Sequence, residues 1–138
     1  MKYLGLDLGS RTLGIAVSDA TGLISSSYKT IRHEEEYDRL LIEVKQLTEE
    51  LKIDAIVLGF PKNMNNTIGP KGELSLAFKE KLEELVEIPI YLQDERLTTK
   101  SATDMLIMGN VSRKNRKKVV DSVAATIILQ TFLDRRER

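Results

Sequence analysis

Strict alternation opens the chain. Leu4, Leu6 and Leu8 alternate with Tyr3, Gly5 and Asp7, and Leu13, Ile15 and Val17 alternate with Gly14, Ala16 and Ser18. A period of two predicts strands over residues 2–9 and 12–19, and the short Gly9-Ser10-Arg11 connection predicts a hairpin. Asp19-Ala20-Thr21-Gly22 reads as a second turn and residues 23–31 as a third strand. The period then changes. Tyr37, Leu40, Leu41, Val44, Leu47 and Leu51 fall at helical spacing, so residues 35–52 form an amphipathic helix. Ala55-Ile56-Val57-Leu58 is apolar throughout, as in a strand covered on both faces. The polar stretch 61–72 reads as a long loop, of the kind that is more often functional than merely connecting. Leu74, Phe78, Leu82 and Leu85 mark a second helix, and Ile88-Pro89-Ile90-Tyr91-Leu92 a fifth strand. Thr98 caps a third helix that Gly109 and Asn110 end near Met108. Ser112 caps a last helix with Val120, Val123, Ala124, Ile127, Ile128 and Thr131 on its core side.

An antiparallel meander followed by strand-helix units predicts an α/β fold, a five-stranded mixed sheet with helices on both faces. Right-handed crossovers place strands four and five beside strand one. The order 3-2-1-4-5 satisfies this and is the RNase H-like arrangement. Neither repeat nor linker interrupts residues 1–138, which read as one domain.

Composition narrows the chemistry. The 21 Lys and Arg balance the 21 Asp and Glu, so nucleic acid would be held by a local basic patch and not by bulk charge. With no Cys and one His, the chain has no thiol nucleophile, no Cys–zinc site and no His-rich cluster, and the lack of Cys suits a reducing cytoplasm. Asp7 interrupts the first apolar stretch too early for a signal peptide, and no apolar run approaches about 20 residues, so no membrane association is expected.

Three acids stand out by position. Asp7 lies near the end of the first strand between Gly5 and Gly9; Glu95, after Asp94, follows the fifth strand; Asp121 interrupts the apolar face of the last helix. Strands one, four and five run parallel in the order 3-2-1-4-5, so their carboxyl ends share the edge where open α/β sheets bind ligands. Strands one and five are then about 10 Å apart, and a helix packed on that edge supplies Asp121. Three close carboxylates repel one another unless a cation joins them. Oxygen ligands favour Mg²⁺ or Mn²⁺, and two such ions can drive phosphodiester hydrolysis. Each acid also has a plainer reading: a turn or cap residue for Asp7, a solvated loop charge for Asp94 and Glu95, a salt-bridge partner for Asp121. Asp19 and Asp104 read as turn and surface residues, and His33 as a surface residue. Arg113-Lys114-Asn115-Arg116-Lys117-Lys118 is the one dense basic run. At a helix start its cations oppose the helix dipole, which a phosphate ligand would relieve. Arg135, Arg136 and Arg138 end a helix, where cations are favourable without any function.

Four segments together resemble the YqgF/RuvX family, Holliday-junction-resolvase-like proteins regarded as pre-16S rRNA nucleases. They are Gly5-Leu6-Asp7-Leu8-Gly9-Ser10-Arg11 with Gly14-Ile15-Ala16-Val17; Val57-Leu58-Gly59-Phe60-Pro61-Lys62-Asn63-Met64; Asp94-Glu95-Arg96-Leu97-Thr98-Thr99; and Lys118-Val119-Val120-Asp121-Ser122-Val123-Ala124-Ala125. The resemblance spans Tyr3 to Leu133 and implies an RNase H-like fold with Asp7, Glu95 and Asp121 as catalytic metal ligands. It implies maturation of ribosomal RNA ends, or resolution of branched DNA; a resolvase acting on two-fold branched DNA needs a homodimer, whereas a ribonuclease can act as a monomer. Phe60, Asn65-Asn66-Thr67 and Lys71-Gly72 depart from the family's usual residues and bear on substrate contacts. Arg11, Asn63, Arg96, Lys114, Arg116, Lys117 and Lys118 are the candidate nucleic-acid contacts. A non-catalytic ribosome-assembly factor on this fold is a second reading. An actin-like phosphotransferase is a third, although that architecture needs two such domains.

Overall fold

The computed structural model describes residues 1–61, 68–94 and 113–136; in the last helix, side chains are described from Val123 to Arg135. The meander consists of β1 (Tyr3–Leu8), β2 (Thr12–Ser18) and β3 (Ser25–Arg32). Helix α1 (Tyr37–Glu50), β4 (Ala55–Phe60), α2 (Pro70–Leu85), β5 (Ile90–Asp94) and α3 (Arg113–Arg136) follow. The sheet order is β3-β2-β1-β4-β5, antiparallel within the meander and parallel across β1, β4 and β5. This is the RNase H-like sheet that the alternation predicts. The helix expected over 98–108 lies outside the described residues.

Each face of the sheet buries its own core. Leu4, Leu6 and Leu8 of β1, with Leu13, Ile15, Ile56 and Leu58, pack beneath α1 and α2 through Leu40, Val44, Phe78 and Leu82. Tyr3, Ala16, Ala55 and Val57 pack beneath α3 through Ala125, Ile128, Leu129 and Leu133. Strands β1 and β4 are therefore covered on both sides, which explains the unbroken apolar run of β4.

Strand β3 and helix α1 begin two residues later than the sequence suggests, and four further differences have a local reason. Helix α2 starts at Pro70, inside the stretch read as loop. Pro at the first helical position loses no hydrogen bond, and Gly72 lets the first turn press on the end of β4. A Cβ on Gly72 would lie 2.7 Å from Ile68 Cγ2 and 2.9 Å from the Pro61 carbonyl. Strand β5 begins after Pro89, which has no N–H for the ladder, and continues to Asp94. Leu85, read as a core position, is 39% exposed in the last turn of α2. The buried stripe of α3 holds Ala124 and Ile128 as expected but is turned towards Ala125, Leu129 and Leu133, leaving Val123, Ile127 and Thr131 half-buried.

Candidate active site

Along β1, Tyr3, Gly5 and Asp7 share the face covered by α3. Asp7 is the polar, half-buried member of an otherwise fully buried strand. It pairs with Gly14 on β2. On the other side Leu6 pairs with Leu58, and continuing that register by one residue brings Asp7 beside Gly59, which pairs with Gln93 of β5. A row therefore crosses the α3 face as Gly14, Asp7, Gly59, Gln93. With glycine on both neighbouring strands, no side chain in the row flanks the Asp7 carboxylate.

Helix α3 runs over this row antiparallel to β1. The Tyr3 ring meets Phe132 edge-on at 5.9 Å. Two residues along the strand, a Cβ on Gly5 would lie 2.8 Å from Leu129 Cβ and 3.2 Å from the Ala125 carbonyl. Two further strand residues cover about 7 Å, or four to five helical residues at about 1.5 Å each. The helix backbone at Asp121, one turn before Ala125, thus comes over the Asp7 end of β1. Glycine at position 5 is what permits this approach.

Of the acid pair after the fifth strand, Asp94 pairs with Phe60, whose ring lies against the α2 side near Gly72. Asp94 is therefore on the opposite face from Asp7. Glu95 lies outside the described residues, as do Asn63 and Arg96.

A model of the RuvX family, described as Holliday junction resolvase, matches residues 1–135. The chain belongs to the RuvX family. Among relatives of this RuvX chain, one from Bacillus licheniformis is 53% identical over 135 residues, covering 97% of each chain. One from Bacillus subtilis is 51% identical over 135 residues, covering 97% of this chain and 98% of its own. Both carry the name "Putative pre-16S rRNA nuclease". In structure the chain is similar to Thermus thermophilus RuvC solved in complex with a Holliday junction substrate. The TM-score is 0.64 at 17% identity, covering 99% of this chain and 96% of that one. That likeness concerns the fold.

The RuvX chain holds its β1–β2 turn in a way that corrects one sequence expectation. His33, read as a surface residue, is 4% exposed. Its Nε2 lies 3.1 Å from the Gly9 carbonyl, and the Glu35 backbone N–H donates to Nδ1 at 3.0 Å. A lone pair is needed at Nδ1, so Nε2 carries the hydrogen and donates to Gly9. The His33 backbone N–H also donates to the Arg11 carbonyl at 2.9 Å, and the ring packs edge-on against Tyr37 at 5.4 Å. Burial, with the Glu35 charge adding to it, pushes the Tyr37 phenol up, so that ring stays neutral. Both ends of the Gly9-Ser10-Arg11 turn, two residues beyond Asp7, are thus tied to the end of β3. The signal was present in the register: Thr12 pairs with Arg32, so the next residue on β3 must come alongside the turn.

Asp19 is a turn residue, as the sequence suggests. Thr21 Oγ1 donates to its carboxylate, and the backbone N–H groups of Leu23 and Ile24 donate to Oδ1 at 2.9 and 3.1 Å. These donors, Thr21 foremost, then Ile24 and Leu23, hold its pKa down from 3.8 to about 2. It sits at the edge of the sheet opposite Asp7.

Of the candidate phosphate contacts, Arg11 is exposed at the β1–β2 turn on the Asp7 edge. Lys114, Arg116, Lys117 and Lys118 lie in the first turns of α3. Residue 113 is eight positions before Asp121, so the helix backbone runs on about 12 Å past the Asp7 row. The side chains of these residues and of Asp121 lie outside the described set. Among the described residues, no three His, Asp or Glu side chains gather as a metal site, and no helix is long and apolar enough to cross a membrane.

Proposed function

We propose that this chain is a divalent-metal-dependent nuclease that hydrolyses phosphodiester bonds while trimming the ends of precursor 16S rRNA. The observation that carries the reading is the setting of Asp7. It is a half-buried carboxylate at the parallel-strand edge, in line with Gly14 and Gly59 and under the helix backbone at Asp121. Two relatives about half identical in sequence carry a precursor-rRNA nuclease name, which supports the substrate.

The residues suit a hard cation. Asp7, Glu95 and Asp121 offer only oxygens, and His33 is committed to backbone groups of the turn. Mg²⁺ or Mn²⁺ matches that donor set. Bound there, such an ion would supply an activated water and charge stabilisation for the leaving oxygen. The chain's own part is to hold the three acids together, with Asp94 turned to the other face and so not competing. Arg11, Arg96, Lys114, Arg116, Lys117 and Lys118 would neutralise flanking phosphates, and Asn63 would help place the strand. Glycines beside Asp7 leave room for a phosphate to approach the carboxylate.

The test is cleavage of precursor 16S rRNA by wild type and Asp7→Asn, with Mg²⁺, Mn²⁺ or EDTA. Removing one ligand carboxylate should lower the rate at least about 10³-fold, and EDTA should abolish it. An unchanged rate in Asp7→Asn would overturn the assignment. The family's description as a Holliday junction resolvase favours one second reading, a branched-DNA nuclease acting as a homodimer on a two-fold substrate. A four-way DNA junction in the same assay, with the oligomeric state measured alongside, decides between them.

A further inference from the structure

We propose that the groove between β5 and the C-terminal half of α3 is a subsite for an unpaired nucleobase and its phosphate, on the same face of the sheet as the proposed nuclease site. The proposal rests on the nuclease reading and adds to it a preference for single-stranded flanks.

Three rings form a ladder from the core outward. Tyr3 is buried at 3% exposure and meets Phe132 edge-on at 5.9 Å. Phe132 in turn stacks on Tyr91, with centroids 5.3 Å apart and planes 29° from parallel. Tyr91 is 40% exposed on the edge strand of the sheet. A large aromatic held rigid from behind and open to solvent in front is a stacking platform, and packing Tyr91 against Phe132 fixes its ring before any ligand arrives. Beside it is a cavity of about 460 Å³ lined by Tyr91, Leu92, Gln93, Phe132 and Arg135. That volume is within the ordinary range for a small-ligand pocket, about 300–1,000 Å³. Arg135 is exposed, and among the described residues no carboxylate pairs with it.

An apolar ring platform with a guanidinium beside it matches the two halves of a nucleotide. The base stacks on the ring, and the phosphate meets the cation. A base inside a duplex has no free face to offer, so the site selects a splayed or single-stranded nucleotide. Its location suits this. Tyr91 and Gln93 share the α3 face, and Gln93 belongs to the row that contains Gly59 and Asp7. Gln93 therefore lies about two strand spacings, or 10 Å, across the sheet from Asp7, and Tyr91, level with Gly5 through Val57, is set about 7 Å further back along β5. A strand whose phosphate sits at Asp7 can reach the groove without leaving that face.

Binding is measured by fluorescence anisotropy in EDTA, with a labelled single-stranded oligoribonucleotide and, separately, a blunt RNA hairpin closed by a compact tetraloop whose bases are stacked. The proteins are wild type, Tyr91→Ala, Tyr91→Phe and Arg135→Ala. Tyr91→Ala and Arg135→Ala should each weaken single-strand binding about tenfold. Tyr91→Phe, which keeps the ring, should stay within about twofold of wild type, and hairpin binding should be unaffected by all three. Arg135→Ala changes an exposed residue, so its result does not depend on the folding of the Tyr91 variants. Single-strand binding unchanged in Tyr91→Ala and Arg135→Ala overturns the subsite while leaving Asp7-dependent cleavage intact. An equal loss on the hairpin overturns it too, because the contact would then not require an unpaired base. Wild type that binds neither RNA overturns the subsite, whereas the nuclease reading stands or falls separately on Asp7-dependent cleavage with metal present.

Discussion

The two faces of the sheet are packed with different residues, and the difference separates what folds the protein from what positions its chemistry. Beneath α1 and α2 the core is made of large branched side chains, Leu4, Leu6, Leu13, Ile15, Ile56 and Leu58, all fully buried. Beneath α3 the sheet presents mostly small residues, Gly5, Ala16, Ala55 and Val57 beside Tyr3, and the helix lays Ala125, Ile128, Leu129 and Leu133 on them. Large residues fill space and contribute most of the burial energy. Small residues let one backbone approach another. On the α3 side that closeness brings the helix down onto β1 and carries the backbone at Asp121 over the end of the strand at Asp7. The polar row of Gly14, Asp7, Gly59 and Gln93 interrupts this second face only.

This contrast can be broken from either side. Leu58→Ala removes a fully buried side chain from the branched core and should cost about 2–5 kcal/mol of stability in urea unfolding. The folded fraction should keep its cleavage rate per molecule. Gly5→Ala is the counterpart. Its Cβ would meet Leu129 Cβ at 2.8 Å, and a Cβ cannot swing aside as a side-chain tip can. Overpacking of this kind costs about 1–3 kcal/mol. The smaller stability loss should nevertheless come with the larger loss of activity, because the helix must lift from the Asp7 edge. Equal activity in the two variants at matched folded fraction would show that the spacing of α3 does not matter to the site.

The clasp on the turn is next in size. His33→Leu removes the donor to Gly9 and the acceptor for Glu35, leaving two backbone groups short of partners. The cost should be about 1–3 kcal/mol. If the clasp positions the hairpin that carries Asp7, kcat should fall with little change in KM, and His33→Gln, which keeps a donor able to reach Gly9, should recover part of it. A variant with lowered stability and wild-type kinetics would make His33 a packing residue only.

These cases also show where the sequence was legible. Strand order followed from alternation in the meander and from the unbroken run Ala55–Leu58, because a period of two and burial on both faces leave direct traces in residue type. Asp7 could be singled out because it alone breaks the apolar pattern of β1. His33 could not, since a lone imidazole between Arg32 and Glu34-Glu35-Glu36 has the composition of a solvated turn, and only the pairing of β2 with β3 brings it against Gly9. The stripe of α3 was ambiguous for a different reason. Ala124, Ala125, Ile127, Ile128 and Leu129 leave almost no polar residue to mark the outer side, so the buried face is decided by the turn from Ala125 to Leu129 settling onto Gly5. The start of α2 was hidden in a stretch whose Pro and Gly resemble loop punctuation but serve a helix start.

The smallest expected effect comes from the other carboxylate of the meander, and it sharpens what is special about Asp7. Asp19 occupies the β2–β3 turn at the far edge, fully committed to Thr21, Leu23 and Ile24. Its pKa is lowered from 3.8 to about 2 in the folded protein. A lowered carboxylate pKa means that the unfolded chain takes up the proton first as pH falls. The stabilisation is thus complete above about pH 4 and is lost as pH drops towards 2. Asp19→Asn keeps an oxygen that can accept from Leu23 and Ile24 but loses the charge. It should lower the Tm slightly at pH 7, and the difference from wild type should close as the pH approaches 2. Because the group is fully exposed, added salt should shrink the effect. Mg²⁺ should raise the Tm of wild type and of Asp19→Asn by the same amount and leave Asp7→Asn unmoved. If the Mg²⁺ response survived in Asp7→Asn, the distinction between a carboxylate that closes a turn and one that holds an ion would fail at the residue on which it rests.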